Sequence, residues 1–541
     1  MNDMDSALLM NGETPQKYDV LIVGCGPSGA ILANLLKDKG YKVAIFDRDK
    51  EIFHAPRAMM LDVESCRILN GMGMFHRIME KDGVPFLRHR FVSKNKKTLM
   101  SIRMPNNQVD LGYPESGVYW HQPAGEAMLR ESFSKGDGQG GSVDAFLGYE
   151  VLSVDGEGSE AKLIAKNPES GEEQSFVGQY LVGADGGAST CRKYLNAKRV
   201  DLNYSRDWIV MDLIIHDSQW WNAFREGSAF TCEPNAAVVV VKGLHGHIRM
   251  DFEQPSAQAA EAFTEEDAYQ LIAEYLDVDR EKIEIIRRQP YKFYAGMPDR
   301  WRRGRVFLAG DAAHQTSPFK GQGLNMGIRD TVNLSFKLDM VFKGLVNDSI
   351  LDTYQEERWD NCAHLIEEAT KGGLMLSTAN WWEILVRDFT FMLGRMSNRL
   401  AYEMTKKTSS IAPYKNGLLG KQHSLSGARF FPPQVQSPDG RGALLDEIIG
   451  DRFALITREP VSGEAVDWLH SELGGTSLTI GKDVIDASGK LTEYFVDNNA
   501  EAILLRPDYY IFDAGSDANA ACCALRTQLT DYGLASPSGV G

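Results

Sequence analysis

YDVLIVGCGPSGAILANLLKDKGYKVAIFD, residues 18–47, runs from an apolar segment through a glycine turn and a helical pattern to a second apolar segment ending in an acid. Gly24, Gly26 and Gly29, with Cys25, Pro27 and Ser28 between them, form G-x-G-x-x-G where the first segment ends. The first glycine of this pattern permits a tight turn, the second lets backbone approach a pyrophosphate, and the third lets helix and strand pack closely. The helix that follows points amide N–H groups and the positive end of its dipole at phosphate oxygens. Asp47, eighteen residues beyond Gly29, closes the second strand where a carboxylate can accept from ribose hydroxyls, and Arg48 follows it in the same candidate site. An isolated glycine pattern is weak. Here strand, turn, helix, second strand and acid fall into register, which predicts a βαβ unit holding a dinucleotide.

Two later stretches decide between dinucleotides. YLVGADGGASTCR, residues 180–192, reads as a strand ending at Asp185-Gly186, with Ser189 and Arg192 beyond. GDAAHQTSPFKGQGLNMGIRD, residues 310–330, follows the apolar run RVFLA and leads into a helical pattern, with four glycines, a proline and an acid between. Strand–helix connections usually need about 2–6 residues, so this longer one implies that something is held there. A carboxylate at a strand end beside glycine suits a chain of hydroxyls, because it accepts from two at once. FAD offers such a chain in its ribitol; NAD offers only riboses.

Together the three motifs resemble the class A flavoprotein aromatic hydroxylases, the single-component FAD monooxygenases related to p-hydroxybenzoate hydroxylase. Within that group PRAMMLD (56–62), YKFYAG (291–296) and LLRPDYYIF (504–512) resemble the 3-(3-hydroxyphenyl)propionate and phenol hydroxylase branch. The resemblance spans residues 17–375 and, more distantly, 430–530. It implies a mixed α/β (α+β) architecture: a Rossmann-like FAD-binding domain of p-hydroxybenzoate hydroxylase type, a β-sheet substrate domain and a C-terminal thioredoxin-like domain. The expected division is a disordered N-terminus over 1–16 and a discontinuous FAD-binding domain over 17–90, 116–200 and 290–375. The substrate domain takes 91–115 and 201–289, a helical connector 376–430, and the thioredoxin-like unit, without redox cysteines, 431–541.

Carried over residue by residue, the resemblance puts Asp47 on the adenosine ribose and Asp311, after Gly310, on the ribitol. Arg57 and Gln122 match positions at the phosphate and ribityl portion, and Arg130 one near the pyrophosphate. Asp185 and Arg192 match a motif tied to both FAD and NAD(P)H. Pro318 is expected beside the isoalloxazine, with Gly321, Gly323, Leu324 and Asn325 offering backbone N–H groups to its pyrimidine end. His314 belongs to this cofactor loop by position.

The implied chemistry consumes NADH or NADPH and O2. Oxygen adds at flavin C4a to give a hydroperoxide, whose terminal oxygen attacks a phenolic ring ortho or para to its hydroxyl. An acceptor that draws the phenol towards phenolate speeds such an attack. Phenol hydroxylases carry an acid in the segment matching PRAMMLD, where this chain has Met59, with Asp62 nearby. His121, Tyr291 and Tyr294 are therefore the candidate catalytic residues together with Pro318, and Arg249, Arg287 or Arg288 could meet an acidic substrate. The same fold serves Baeyer–Villiger oxygenases and epoxidases, and a non-catalytic flavin-binding interaction protein is the alternative of another class. The halogenase pattern W-x-W-x-I-P is absent, since Trp220-Trp221 precede Asn222-Ala223-Phe224.

Composition fits this reading. The chain has 541 residues, 43% hydrophobic and 24% charged, too long for one core. A net charge of −16 argues against a nucleic-acid surface. Seven scattered cysteines without C-x-x-C favour free thiols in a reducing compartment. No N-terminal signal pattern stands out, and TANWWEILVRDFTFMLG (378–394) is interrupted by Glu383, Arg387 and Asp388. The expectation is a cytoplasmic homodimer, off the membrane and without a metal centre, with a mobile tail ASPSGVG (535–541).

Overall fold

The computed structural model describes residues 16–81, 84–85, 88–104, 113–114, 117–134, 140–223, 227–409, 411–420, 423–431 and 433–534. The expectations for residues 1–15, for 105–112 of the substrate domain and for the tail 535–541 lie outside the described residues.

Around residues 18–47 the chain forms the strand Gln16–Val23, the helix Pro27–Asp38 and the strand Lys42–Asp47. Val20 to Val23 and Val43 to Phe46 are buried, as runs covered on both faces of a parallel sheet must be. Successive neighbours in this sheet are Val306–Leu308, Glu173–Gly183, Gln16–Val23, Lys42–Asp47 and Ser142–Leu147, all parallel. The ends of the first three strands to be read from sequence (Val23, Gly183 and Leu308) therefore lie side by side, and so do the three motifs that follow them.

A second sheet has seven strands, in the order Ile283–Pro298, Arg199–Ile215, His247–Gln254, Val238–Lys242, Ser228–Thr231, Arg88–Val92 and Thr98–Arg103. Its two faces are sorted by the strand period of two. Ile209, Met211, Leu213 and Ile215 join Ile248, Met250 and Phe252 in an outer core with the helix Glu265–Tyr275. Thr264 starts that helix as the sequence predicts, accepting from the Asp267 amide at 3.2 Å while Asp267 accepts from the Thr264 amide at 2.8 Å. The alternate residues Trp208, Val210, Phe230, Val239 and Phe293 point the other way, into the main core.

After this sheet come the helix Gln322–Phe342, the helix Thr353–Ser377 and the helix Trp381–Met396. The C-terminal unit is a thioredoxin-like sheet ordered Thr476–Thr479, Ala454–Thr457, Ala502–Leu505, Ile511–Gly515, the first pair parallel and the others antiparallel. Cys522 and Cys523 share its last helix; the first is buried and the second exposed. Arg67 fastens this unit to the first domain. Its Nε and Nη2 donate to Asp446 at 2.6 Å each, its Nη1 donates to the Phe430 carbonyl, and Tyr509 stacks on the guanidinium.

Candidate active site

Two of the three glycines in the turn are required by close backbone packing, and the third leaves open space. A Cβ on Gly24 (φ +103°) would lie 2.3 Å from the Ala184 carbonyl oxygen, and one on Gly29 would lie 1.9 Å from that of Gly24. Gly26 is different, with no atom within 4 Å of where its Cβ would sit. The open space lies before a helix that starts at Pro27 and has no side-chain cap, so its first amides are available. Asp47 holds the turn, accepting from the Cys25 amide at 2.7 Å and from the Asp49 amide at 2.9 Å. Arg48 is exposed and lies 4.0 Å from Asp49. Arg130 donates to the Lys50 carbonyl at 3.2 Å, while its buried Nε has no partner. Burial pushes the Cys25 thiol up to about 12, which leaves it unreactive.

Asp185 caps the short helix after its strand, accepting through Oδ2 from the Thr190 amide at 2.7 Å and the Cys191 amide at 3.1 Å. Its Oδ1 is buried and unpartnered. Ser189 accepts from the Arg192 amide at 2.8 Å, and the Arg192 guanidinium donates to the Gly187, Asp311 and Ala312 carbonyls. Arg192 thus ties the second motif to the third.

In the third motif Gly310 takes φ +60°, and Asp311 faces the cleft with no donor on its carboxylate among the described residues. Its surroundings still exclude enough water that burial raises its pKa, against the pull of His314, Arg57 and Arg192. Ser28 packs into the space left by two glycines, since Cβ atoms on Gly310 and Gly327 would lie 2.9 and 2.3 Å from its hydroxyl. Behind the turn, Asp330 accepts from the Gly310 amide at 2.9 Å, bonds His314 Nε2 at 2.7 Å and accepts from Arg358 Nε at 2.8 Å. His314, Asp330 and Cys362 are close enough to hold a metal ion. Arg358 lies against the same cluster, donating to Asp330 and, at 3.3 Å, to the Cys362 sulfur.

Pro318 starts a short turn ending at Gly321 (φ +60°), which precedes the helix Gln322–Phe342. This helix too has no side-chain cap, and nothing lies within 4 Å of a Cβ on Gly321. Gly323 and Leu324 are half-buried in its first turn. Asn325 is spent on structure: its Oδ1 accepts from the Asp62 amide and Ser65 hydroxyl, and its Nδ2 donates to the Gly321 carbonyl. Two uncapped helix starts, an open glycine step and two carboxylates with free oxygens fit FAD, with its pyrophosphate, hydroxyl chain and polar ring edge.

Arg57 and Gln122 meet through the backbone. Gln122 Oε1 accepts from the Arg57 and Ala58 amides at 2.9 and 2.6 Å, and its Nε2 donates to Glu126 at 2.7 Å. Asp62 caps the helix Val63–Gly71 and pairs with Arg329, so it is not a free base. Met59 is buried, and its position offers a thioether rather than an acid.

The inner face of the second sheet carries a polar cluster that sequence reasoning saw only in part. Asp212 bonds His247 Nε2 at 2.9 Å through Oδ1 and accepts from Arg287 at 2.5 Å through Oδ2. Arg249 donates to both oxygens of Asp251, at 2.9 and 3.0 Å, and to the Arg57 carbonyl at 2.8 Å. Burial opposes the Asp212 charge, but His247, Arg249 and Arg287 hold its pKa below the usual carboxylate range. Burial wins at Asp251, whose pKa is raised despite Arg249. Neither Asp212 nor His247 is among the residues singled out from sequence; the one signal that could have found them is a polar residue set within the apolar runs WIVMDLII and HIRMDF.

The three sequence candidates for catalysis separate. Tyr291, opposite Trp208 in the sheet register, faces the cleft at 49% exposure with its ring 4.7 Å from that of Phe293. Burial and Asp311 raise its pKa, while Arg249, Arg57 and Arg287 pull it down. Tyr294 falls on the opposite parity, stacked at 3.0 Å on Arg199, away from that face. His121 begins the helix Gln122–Glu131 with its ring 5.9 Å from that of His245. Arg288 also turns outward, donating to the Phe263 carbonyl.

A nucleotide cradle at the ends of a parallel sheet, facing a second sheet with a polar inner surface, defines a flavin-dependent oxygenase. The FAD binding domain model matches residues 17–369 and the HcaD C-terminal domain model residues 427–528. The chain belongs to the FAD binding domain family. It is 30% identical over 521 residues to a probable NADH-specific resorcinol 4-hydroxylase of Rhodococcus jostii (strain RHA1), covering 94% of each chain. It is 27% identical over 516 residues to a 3-(3-hydroxy-phenyl)propionate/3-hydroxycinnamic acid hydroxylase of Escherichia coli (strain K12 / DH10B), covering 91% of each. The flavin-dependent monooxygenase PieE, solved with FAD and substrate, shares the fold at TM-score 0.79 and 20% identity, over 96% of this chain and all (100%) of that one. Aklavinone-11 hydroxylase, solved with FAD and aklavinone, does so at TM-score 0.77 and 20% identity, over 96% and 100%. This chain is an NAD(P)H-dependent FAD monooxygenase of the aromatic hydroxylase type, with O2 as cosubstrate.

Proposed function

We propose that the enzyme hydroxylates a neutral phenol, resembling resorcinol, ortho or para to an existing hydroxyl, with NADH as the electron donor. The carrying observation is the charge balance of the inner face. Arg249 and Arg287 each already hold a buried acid, Asp251 and Asp212, so neither is a spare cation for a substrate carboxylate. The 30% identical relative named for resorcinol and NADH supports the same choice.

Bound FAD supplies electron transfer from the nicotinamide and the activation of oxygen. The chain's own residues do the positioning. Asp47 and Asp311 would hold hydroxyls of the adenosine ribose and the ribitol, and the amides after Gly26 and Gly321 would meet the cofactor's phosphates and ring edge. Trp208, Phe293 and Phe319 pack together in the core beneath the inner face, with Trp208 5.9 and 5.4 Å from the other two rings. Such an apolar backing keeps water from the face above it. The test is product mass from NADH-driven turnover across a panel of phenols with and without a carboxylate. Gain of one oxygen as a catechol or hydroquinone, with neutral phenols preferred, is expected. Lactone or epoxide products, or a preference for carboxylated phenols, would overturn the assignment.

The homodimer is proposed to form through the helix Trp381–Met396. Trp381, Trp382, Leu385, Phe389, Met392 and Met396 are each at least 51% exposed. At 3.6 residues per turn they fall within an arc of about 100°. Their combined exposed area is on the order of 800 Å², which exceeds the ~300–600 Å² patch of a typical monomer and equals what one partner of a standard interface buries. No helix among the described residues is long and apolar enough to cross a membrane. A cytoplasmic location is proposed on the seven cysteines, none of them disulfide-bonded.

A further inference from the structure

We propose that His247, oriented by Asp212, is the group that takes the proton of the substrate's phenolic hydroxyl. This rests on the phenol reading above and names the base it requires.

His247 lies on the inner face of the second sheet, paired with Ile214, and is 3% exposed. Its Nε2 is 2.9 Å from Asp212 Oδ1, and Asp212 is fully buried beneath Arg287. An ionised carboxylate can only accept, so Nε2 carries the hydrogen and Nδ1 keeps its lone pair. That Nδ1 is buried and has no partner. Gly243 and the Met59 methyl lie close against it, since a Cβ added at Gly243 would be 2.7 Å from both Nδ1 and that methyl. The nitrogen is therefore an oriented acceptor facing a flexible thioether that can yield to a ligand.

Other bases on this face are committed. Asp212 serves His247 and Arg287, and Asp251 serves Arg249. His89 bonds the Ser228 hydroxyl at 2.7 Å, and Tyr291 is itself a phenol. The charged and titratable groups facing His247 are Asp212, with Arg287 behind it, and Arg249 with Asp251 on the same strand. His245 occupies the turn before it, facing His121.

In the step, the phenol O–H bond breaks as an N–H bond forms at Nδ1, and Asp212 holds the resulting imidazolium. The freed electron pair enters the ring, and the ortho or para carbon bonds one oxygen of the O2 that reduced FAD would activate; that oxygen's O–O bond breaks, and the departing oxygen keeps the electron pair and takes a proton from water. Loss of that carbon's proton to water restores aromaticity, and the product oxyanion recovers its proton from His247. Neutral imidazole is a weaker base than the phenolate of an unactivated phenol, so transfer completes as the C–O bond forms. Dependence on the base should shrink as the phenol becomes more acidic.

The test uses FAD-loaded wild type, His247→Gln and Asp212→Asn with phenols spanning pKa ~10 to ~7. The Gln amide retains a donor to Asp212 while removing the basic lone pair. Hydroxylated product per NADH oxidised is measured with the absorbance of bound phenol. Expected is a loss of about 100-fold with the least acidic phenols, shrinking to a few-fold with the most acidic. With the most acidic phenols, which the imidazole can ionise before oxygen transfer, His247→Gln should also weaken the phenolate band of the bound phenol. A loss uniform across the series, or none, overturns the assignment. Retained FAD and NADH oxidation identify folded variants; if His247→Gln fails that check, Asp212→Asn decides by the same slope. Wild type that makes no hydroxylated phenol from any member overturns the phenol reading itself, which the variant slope alone cannot do.

Discussion

His314 Nε2 and Asp330 Oδ2 lie 2.7 Å apart with both side chains fully buried, and the same Asp330 oxygen accepts from the Gly310 amide. A helix residue thus holds, from behind, the turn that presents Asp311. Burial disfavours the His314 charge, but Cys362 and Asp330 push its pKa up to about 10. A raised pKa stabilises the fold fully below the unfolded value of about 6.5 and is lost as pH climbs through the folded value. Melting temperature should therefore fall between pH 7 and 10, in apo and FAD-loaded protein alike. His314→Gln should flatten that slope and weaken FAD binding, read by thermal melts and flavin fluorescence.

Gly26 separates binding from folding. Its φ of −74° suits any residue, and nothing lies where a Cβ would go, so Gly26→Ala should leave apoprotein stability within about 0.5 kcal/mol of wild type. The methyl would enter the space read here as the pyrophosphate seat, and FAD affinity should fall at least tenfold. Gly29→Ala puts its methyl into the Gly24 carbonyl and should lower both stability and affinity. Equal FAD affinity in Gly26→Ala and wild type would count against the seat.

The parallel sheet and the C-terminal unit could be read along the chain because each rests on local pattern: period-two burial, glycine turns, apolar runs. Asp47, at the end of one strand, and Asp311, three residues past another, stand in the same kind of local pattern. The inner-face cluster was not legible, because Asp212, His247, Arg249 and Arg287 meet only when three strands come into register. Tyr291 and Tyr294 show the same limit. Three positions apart, they fall on opposite faces, and sequence alone could not say which face looked at the cleft.

That separation is testable. Tyr291→Phe removes a hydroxyl facing the site and should change product formed per NADH oxidised by severalfold. Tyr294→Phe keeps the ring on Arg199 and should leave that ratio unchanged. The reverse pattern would place the substrate on the other side of the strand.

Arg67 and Asp446 test how the C-terminal unit is attached. Both are buried, and removing one partner of a buried ion pair costs about 3–5 kcal/mol because the other charge is left unpaired. Asp446→Ala should therefore lower the unfolding free energy by that amount in denaturant titrations. Cys522→Ser with Cys523→Ser should leave turnover intact, since the unit offers no paired thiols for redox chemistry.

The exposed face of the helix Trp381–Met396 gives the last test. Leu385 and Phe389 sit one turn apart near its middle, 54% and 57% exposed, while Phe391 on the reverse side is buried. Glutamate at either exposed position costs the monomer little, as its side chain remains in water. In a two-fold dimer each substitution is repeated on both subunits, so a buried like-charge set forms at the interface. Leu385→Glu with Phe389→Glu should therefore convert a dimer to a monomer by light scattering, with an unchanged melting curve for the isolated chain. A wild-type monomer at micromolar concentration would show that another occupant, or none, covers this helix.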